Sequence, residues 1–138
     1  MGFEKQFRPS VNVGRSKAIK GFVHPVETIT VATTATAGAI TPYGLSNIVV
    51  GGTSEKKYPF TLGNPEAIGQ EKYIYVQSLS DDSTGEITTE SASVFINSTN
   101  KRKLKVTAAD QAVQLIAASL TRWNVVTPGS TSFVSVST

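Results

Sequence analysis

From Glu27 onward the chain is a succession of short segments rich in Val, Ile, Thr, Tyr and Phe, each closed by Gly, Pro, Asn, Asp or Ser. Strand formers broken this often by turn formers leave no stretch for a long helix and constrain the body to β-structure. The segments predicted as strands are Glu27 to Ala32, Ser46 to Val50, Tyr58 to Leu62, Glu71 to Leu79, Ser93 to Asn97, Leu104 to Thr107, Ala112 to Ala118, Arg122 to Val126 and Phe133 to Val136. Between them stand Gly51-Gly52, Gly63-Asn64-Pro65, Asp81 to Gly85, Ser98-Thr99-Asn100 and Pro128-Gly129, whose residues accept turn geometry. Helix competes at Glu66 to Gln70 and at Ala108 to Leu120, where Thr107 to Gln111 could cap one. The alternation of Val113, Leu115 and Ala117 with Gln114, Ile116 and Ala118 favours strand there. Alternation also divides Tyr73 and Tyr75 from Ile74 and Val76, two faces of one strand. The turn spacing predicts an all-β fold, an antiparallel β-sandwich or barrel of jelly-roll-like form.

A chain of 138 residues has room for one such domain, predicted over residues 27–138. Residues 1–26 read differently. From Met1 to Lys20 there are five basic residues (Lys5, Arg8, Arg15, Lys17 and Lys20) against Glu4, a net +4, so the remainder of a chain of net charge +3 carries −1. Phe3, Phe7, Val11 and Val13 are interspersed, and Pro9 and Gly14 break any helix, so the segment is expected to be an extended basic arm that cannot bury its own apolar groups. Three uses fit: a strap across a neighbouring subunit, anchored by Phe3 and Phe7 with Lys5, Arg8, Arg15, Lys17 and Lys20 making charge pairs; a solvated tail; or a nucleic-acid arm, for which the charges are sparse. The strap is the reading preferred. Charges precede any apolar run at the N-terminus, and no run of about 18 apolar residues occurs, so neither export nor a membrane partner is expected and synthesis in the cytoplasm is.

Composition removes much chemistry. Without cysteine there is no disulfide framework and no thiolate metal site, and the lone His24 cannot build an imidazole cage. Asp81, Asp82 and Glu86 fall in a Ser- and Gly-containing turn without calcium-loop spacing. Gly44-Leu45-Ser46-Asn47-Ile48 fails the nucleophile-elbow pattern at its last position, and Gly51 to Lys57 lacks the order of a phosphate loop. The expectation is a non-enzyme with no cofactor, no metal and no small-molecule substrate. The body's basic cluster is Lys101, Arg102, Lys103 and Lys105; Lys103 and Lys105 should share one face with Leu104 and Val106 on the other. It reads as a charged edge that blocks strand pairing, a patch for an acidic partner, or a weaker nucleic-acid contact. Tyr43, Tyr58, Tyr73 and Tyr75 are candidates for an exposed aromatic surface that binds a receptor or glycan. Trp123 is expected to anchor the core.

Three stretches carry a resemblance: Thr28 to Val31, Tyr58 to Leu62, and Gln114 to Val126, where Leu115, Ala117, Trp123 and Val125 fit a closing hairpin. Over residues 27–126 the chain resembles tailed-bacteriophage virion surface proteins, the β-rich decoration and fibre-like proteins. The resemblance implies a viral structural protein at the capsid surface, a homotrimer that decorates or cements the shell by contacts with the major capsid protein and with copies of itself. It carries over no catalytic residue. A tail- or fibre-associated receptor- or glycan-binding module is the alternative, and the absence of a shaft sequence favours decoration.

Overall fold

The computed structural model describes residues 25–52, 56–80, 82–126 and 135–138. The predicted arm, with Phe3, Lys5, Phe7, Arg8, Arg15, Lys17 and Lys20, lies outside these residues, as do His24 and Asp81. The described residues form eleven strands: β1 (Val26–Val31), β2 (Gly38–Ile40), β3 (Gly44–Val50), β4 (Lys57–Leu62), β5 (Glu71–Ser78), β6 (Thr84–Thr89), β7 (Phe95–Ile96), β8 (Lys103–Val106), β9 (Ala112–Ser119), β10 (Arg122–Val125) and β11 (Ser135–Ser137). The described residues contain no helix. The segment from Ala112 is a strand, and residues 66–70 form a turn in which Gln70 Oε1 accepts the backbone N–H groups of Glu66 and Ala67.

Two sheets result. One has six strands in the order β1-β3-β5-β9-β10-β7, the other five in the order β11-β8-β6-β4-β2. The expectation of antiparallel sheets is corrected: both are mixed. From β1 to β6 the chain alternates between the sheets and re-enters each in the same direction, so β1, β3 and β5 pair parallel, as do β2, β4 and β6. Parallel neighbours need a crossover, and here each crossover is a strand of the opposite sheet, where a helix would be usual. Antiparallel pairing enters only with the second half, where β8 joins β6, β9 joins β5, β10 joins β9 and β11 joins β8. Tight turns along the sequence do not disclose this, because from β1 to β9 strands adjacent in sequence lie in different sheets.

The buried faces of both sheets meet in one hydrophobic cluster. Ile48, Ile74, Val76, Leu115 and Trp123 come from the six-stranded sheet, and Ile40, Phe60, Leu62, Ile87 and Leu104 from the other. Trp123 is fully buried, as expected of the anchor, and its Nε1–H donates to the carbonyl of Gly63 at 3.3 Å. Ile74 and Val76 are buried while Tyr73 and Tyr75 are half-buried on the other face. Two strands escaped the sequence reading. β2 is only Gly-Ala-Ile, and a Cβ at Gly38 would lie 2.6 Å from Ile29 Cγ2 and 2.7 Å from Val31 Cγ2, so glycine is what lets β2 cross β1 this closely. β6 begins inside the polar stretch assigned to a turn, and its Gly85, Ile87 and Thr89 face inward.

Candidate functional site

The two sheets present very different outward faces. Register and alternation place Val26, Leu45, Tyr73 and Gln114 in one outward row across β1, β3, β5 and β9, and Thr28, Asn47, Tyr75 and Ala112 in the next. Ile116 and Ala118 continue the outward side of β9. At the centre is a shallow groove of about 370 Å³ lined chiefly by Leu45, Asn47, Tyr73, Tyr75, Ala112 and Gln114. On the five-stranded sheet the outward rows are Pro59, Glu86 and Lys105, then Thr61, Thr88, Lys103 and Ser137. The first face has an apolar, aromatic centre flanked by Thr28, Asn47 and Gln114, and the second is charged and threonine-rich.

Aromatic hydroxyls on the apolar face are fixed by acids. Tyr73 Oη donates to Glu71 Oε1 at 2.6 Å and accepts from Gln114 Nε2 at 3.1 Å, and Tyr75 Oη donates to Asp110 Oδ1. The bonds to Glu71 and Asp110, then partial burial, hold both phenols above their ordinary value, because a phenolate could not donate to a carboxylate. The apolar character extends to one end of the sheet. Val26 and Tyr43 precede or open β1 and β3, Ile68 precedes β5, and Leu120 follows β9; all four are exposed, Ile68 by 73%. Parallel pairing puts the starts of β1, β3 and β5 at the same end, and antiparallel β9 finishes there; Gly69 N–H donates to the Ala117 carbonyl at 2.8 Å. Pro25, where the chain N-terminal to the body joins it, is at this end too, its carbonyl accepting Leu45 N–H at 2.8 Å.

Behind the same end lies a polar node. Lys72, on β5, points inward with its side chain fully buried. Its ammonium donates to the Tyr43 carbonyl at 3.0 Å and to Ser46 Oγ at 2.5 Å, and sits 3.8 Å from Glu27 Oε2. The same carboxylate oxygen accepts Thr41 N–H at 2.9 Å, Thr41 Oγ1 at 2.8 Å and Ser46 Oγ at 2.5 Å. Burial pulls the Lys72 ammonium down to about 8, against the charge and hydrogen bond of Glu27 that support it. Burial raises the Glu27 carboxyl, but the bonds from Ser46 and Thr41 and the charge of Lys72 outweigh it, so the group lies below its ordinary value. With Ser46 fully buried, these bonds tie β1, β3, β5 and the loop at Thr41 together. Sequence reading missed it, although a signal exists: Glu27, Ser46 and Lys72 each share the parity of the core residues of their strands.

The predicted basic cluster is only partly available to a partner. Lys103 and Lys105 do face away from Leu104 and Val106. β8 is not an edge strand, however, since it lies between β6 and β11, so the charged-edge reading is corrected. Arg102 is turned into the protein, Nε to Thr89 Oγ1 at 2.9 Å and Nη2 to the Thr89 carbonyl at 2.7 Å. Lys103 lies 3.6 Å from Glu86, which Lys57 also approaches at 3.9 Å. Lys101 and Lys105 are exposed. Of the four tyrosines expected at the surface, Tyr58 is only 2% exposed and belongs to the core.

Neither known protein-family models nor curated proteins contain a match to this chain. Among the described residues no three His, Cys, Asp or Glu side chains are grouped so as to hold a metal ion, and no helix is long and apolar enough to cross a membrane.

Proposed function

We propose that this protein is a non-enzymatic structural subunit that works by packing the outward face of its six-stranded sheet against other protein subunits. The observation that carries the reading is the contrast between the two outward faces: Val26, Leu45, Tyr73, Tyr75 and Ile116 on one, Lys57, Glu86, Lys103 and Lys105 on the other. A lone soluble domain gains nothing from an aromatic, apolar outer face, whereas an interface core is enriched in just such residues. In this reading the two mixed sheets are the layers of a sandwich, residues 27–138 are one domain, and residues 1–26 are an arm that straps onto neighbouring subunits. The resemblance to tailed-phage virion surface proteins supports a place on a capsid, as a homotrimeric decoration or cement protein binding the major capsid protein. Lys101 and Lys105, both exposed, are suited to an acidic patch on that partner.

A receptor- or glycan-binding module is the second reading, favoured by the pairing of tyrosines with carboxylates around the groove, since aromatic rings flanked by acids also suit sugar rings. Full-length protein is measured by light scattering and then sedimented with capsids that lack it. Subunit packing predicts an oligomer that co-sediments and a Tyr75→Arg variant that does not. A monomer that ignores capsids but is retained on a glycan array through the same tyrosine selects the module.

A further inference from the structure

We infer that the aromatic groove on the six-stranded sheet is the seat of the N-terminal segment of a second copy of this chain, with Phe3 or Phe7 filling the space between Tyr73, Tyr75 and Leu45. The inference rests on the strap reading above and says where the strap lands.

Three observations select this occupant. The first is chemical match. The groove is apolar with tyrosine walls, and Glu71 and Asp110, both exposed, stand beside it. Residues 1–20 alternate anchors with cations, Phe3 with Lys5 and Phe7 with Arg8, at a net charge of +4, so an aromatic can enter the groove while its neighbours meet the two carboxylates. The opposite face, carrying Lys57, Lys103 and Lys105, would repel the same segment.

The second is the length of chain and where it joins the body. Phe7 precedes Pro25 by 25 − 7 = 18 residues, which span up to about 60 Å when extended. The groove lies next to that junction, because Val26 begins the outward row that runs through Leu45 and Tyr73 to Gln114, four strands or roughly 15 Å across. An anchor on so long a lead can pass beyond its own groove. The body of 138 − 24 = 114 residues is roughly 35 Å across, so the anchor falls within reach of the next subunit.

The third is continuity. The end of the sheet where the chain enters at Pro25 is also where Val26, Tyr43, Ile68 and Leu120 are exposed. A segment crossing from one copy to the groove of another would run over this apolar rim on the way.

The test uses the full chain with a photo-crosslinking phenylalanine analogue at Phe7, prepared as an equal mixture of light and heavy-isotope protein, irradiated, digested and sequenced by mass spectrometry. The expected result is crosslinks from position 7 to peptides containing Tyr73 to Tyr75 or Ala112 to Gln114, with light-heavy pairs as frequent as same-isotope pairs. Tyr75→Arg, an outward and half-buried position, is expected to reduce the yield roughly tenfold with an unchanged far-ultraviolet circular dichroism spectrum, while Lys57→Glu on the other face leaves the yield unchanged. Crosslinks found only within single chains, or only to the five-stranded sheet, overturn the inference. An oligomer that needs the arm yet gives no groove crosslinks also overturns it while sparing the strap; a strictly monomeric protein ends both.

Discussion

Replacing Glu27 with Gln removes the countercharge of a lysine whose side chain is wholly buried, and the structure sets the size of the effect. Lys72 Nζ and Glu27 Oε2 are 3.8 Å apart, worth about 4 kcal/mol of attraction at an effective dielectric constant near 20. Gln can still accept from Thr41 and Ser46, so most hydrogen bonds survive and the loss is mainly Coulombic. Stranding one member of a buried pair costs about 3–5 kcal/mol, and Glu27, 29% exposed, places the pair at the lower end, near 3 kcal/mol. Lys72→Met with Glu27→Gln replaces both charges and should return to within about 1 kcal/mol of the native protein. The assay is a double-mutant cycle by urea denaturation, with an expected coupling of at least about 2 kcal/mol. A pH series adds an independent arm. Unfolded lysine keeps its proton to about 10.5, whereas folded Lys72 releases it near 8, so between these values the unfolded chain binds more protons and native stability rises with pH. The rise, about 3 kcal/mol, should be absent from the stability–pH curve of Lys72→Met. If Glu27→Gln costs under about 0.5 kcal/mol, or the Lys72→Met curve keeps the same rise, Lys72 is not held as a buried cation and the reasoning fails.

Three further outcomes are expected. Trp123→Ala should cost about 4 kcal/mol in chemical denaturation, since it empties the centre of the core and strands the Gly63 carbonyl, while Trp123→Phe should cost less than half as much. Ultraviolet titration should show two tyrosines ionising above the ordinary value of 10.0, and Glu71→Gln and Asp110→Asn should each return one of them toward it. Arg102→Ala should lose about 1–2 kcal/mol of stability through its two contacts to Thr89, whereas Lys105→Ala should stay within about 0.5 kcal/mol.

Strand existence was legible wherever β-branched residues ran together with an alternation, as at Tyr73 to Val76 and Val113 to Ala117, because side-chain period is a property of the strand alone. Pairing was not. Whether β3 lies beside β5 or β4 depends on which sheet each strand enters, and nothing local to either strand records it. β2 was missed because its contribution is an absence, the missing Cβ of Gly38, and β6 because Thr84, Glu86 and Thr88 are its outward residues and read as loop. Tyr58 reads as a surface aromatic in the sequence, but the alternation through Phe60 and Leu62 turns it inward. The node of Glu27, Ser46 and Lys72 is readable only when parity is trusted over polarity. Of the apolar face, the tyrosines were visible in sequence, but their union with Val26, Leu45 and Ile116 needed the register.

The coiled path of the first six strands bears on how the protein can be made. Successive parallel partners begin 44 − 26 = 18 and 71 − 44 = 27 residues apart, so rungs can be added in the order in which the chain leaves the ribosome. The sheet they build stays incomplete on one flank, however, until Ala112–Ser119 arrives to occupy the place between β5 and β10, bringing Val113, Leu115 and Ala117 into the core shortly before Trp123. A nascent chain halted before that point displays the unpaired side of β5, and self-association at this stage, more than any weakness of the finished fold, should set the ceiling on its yield.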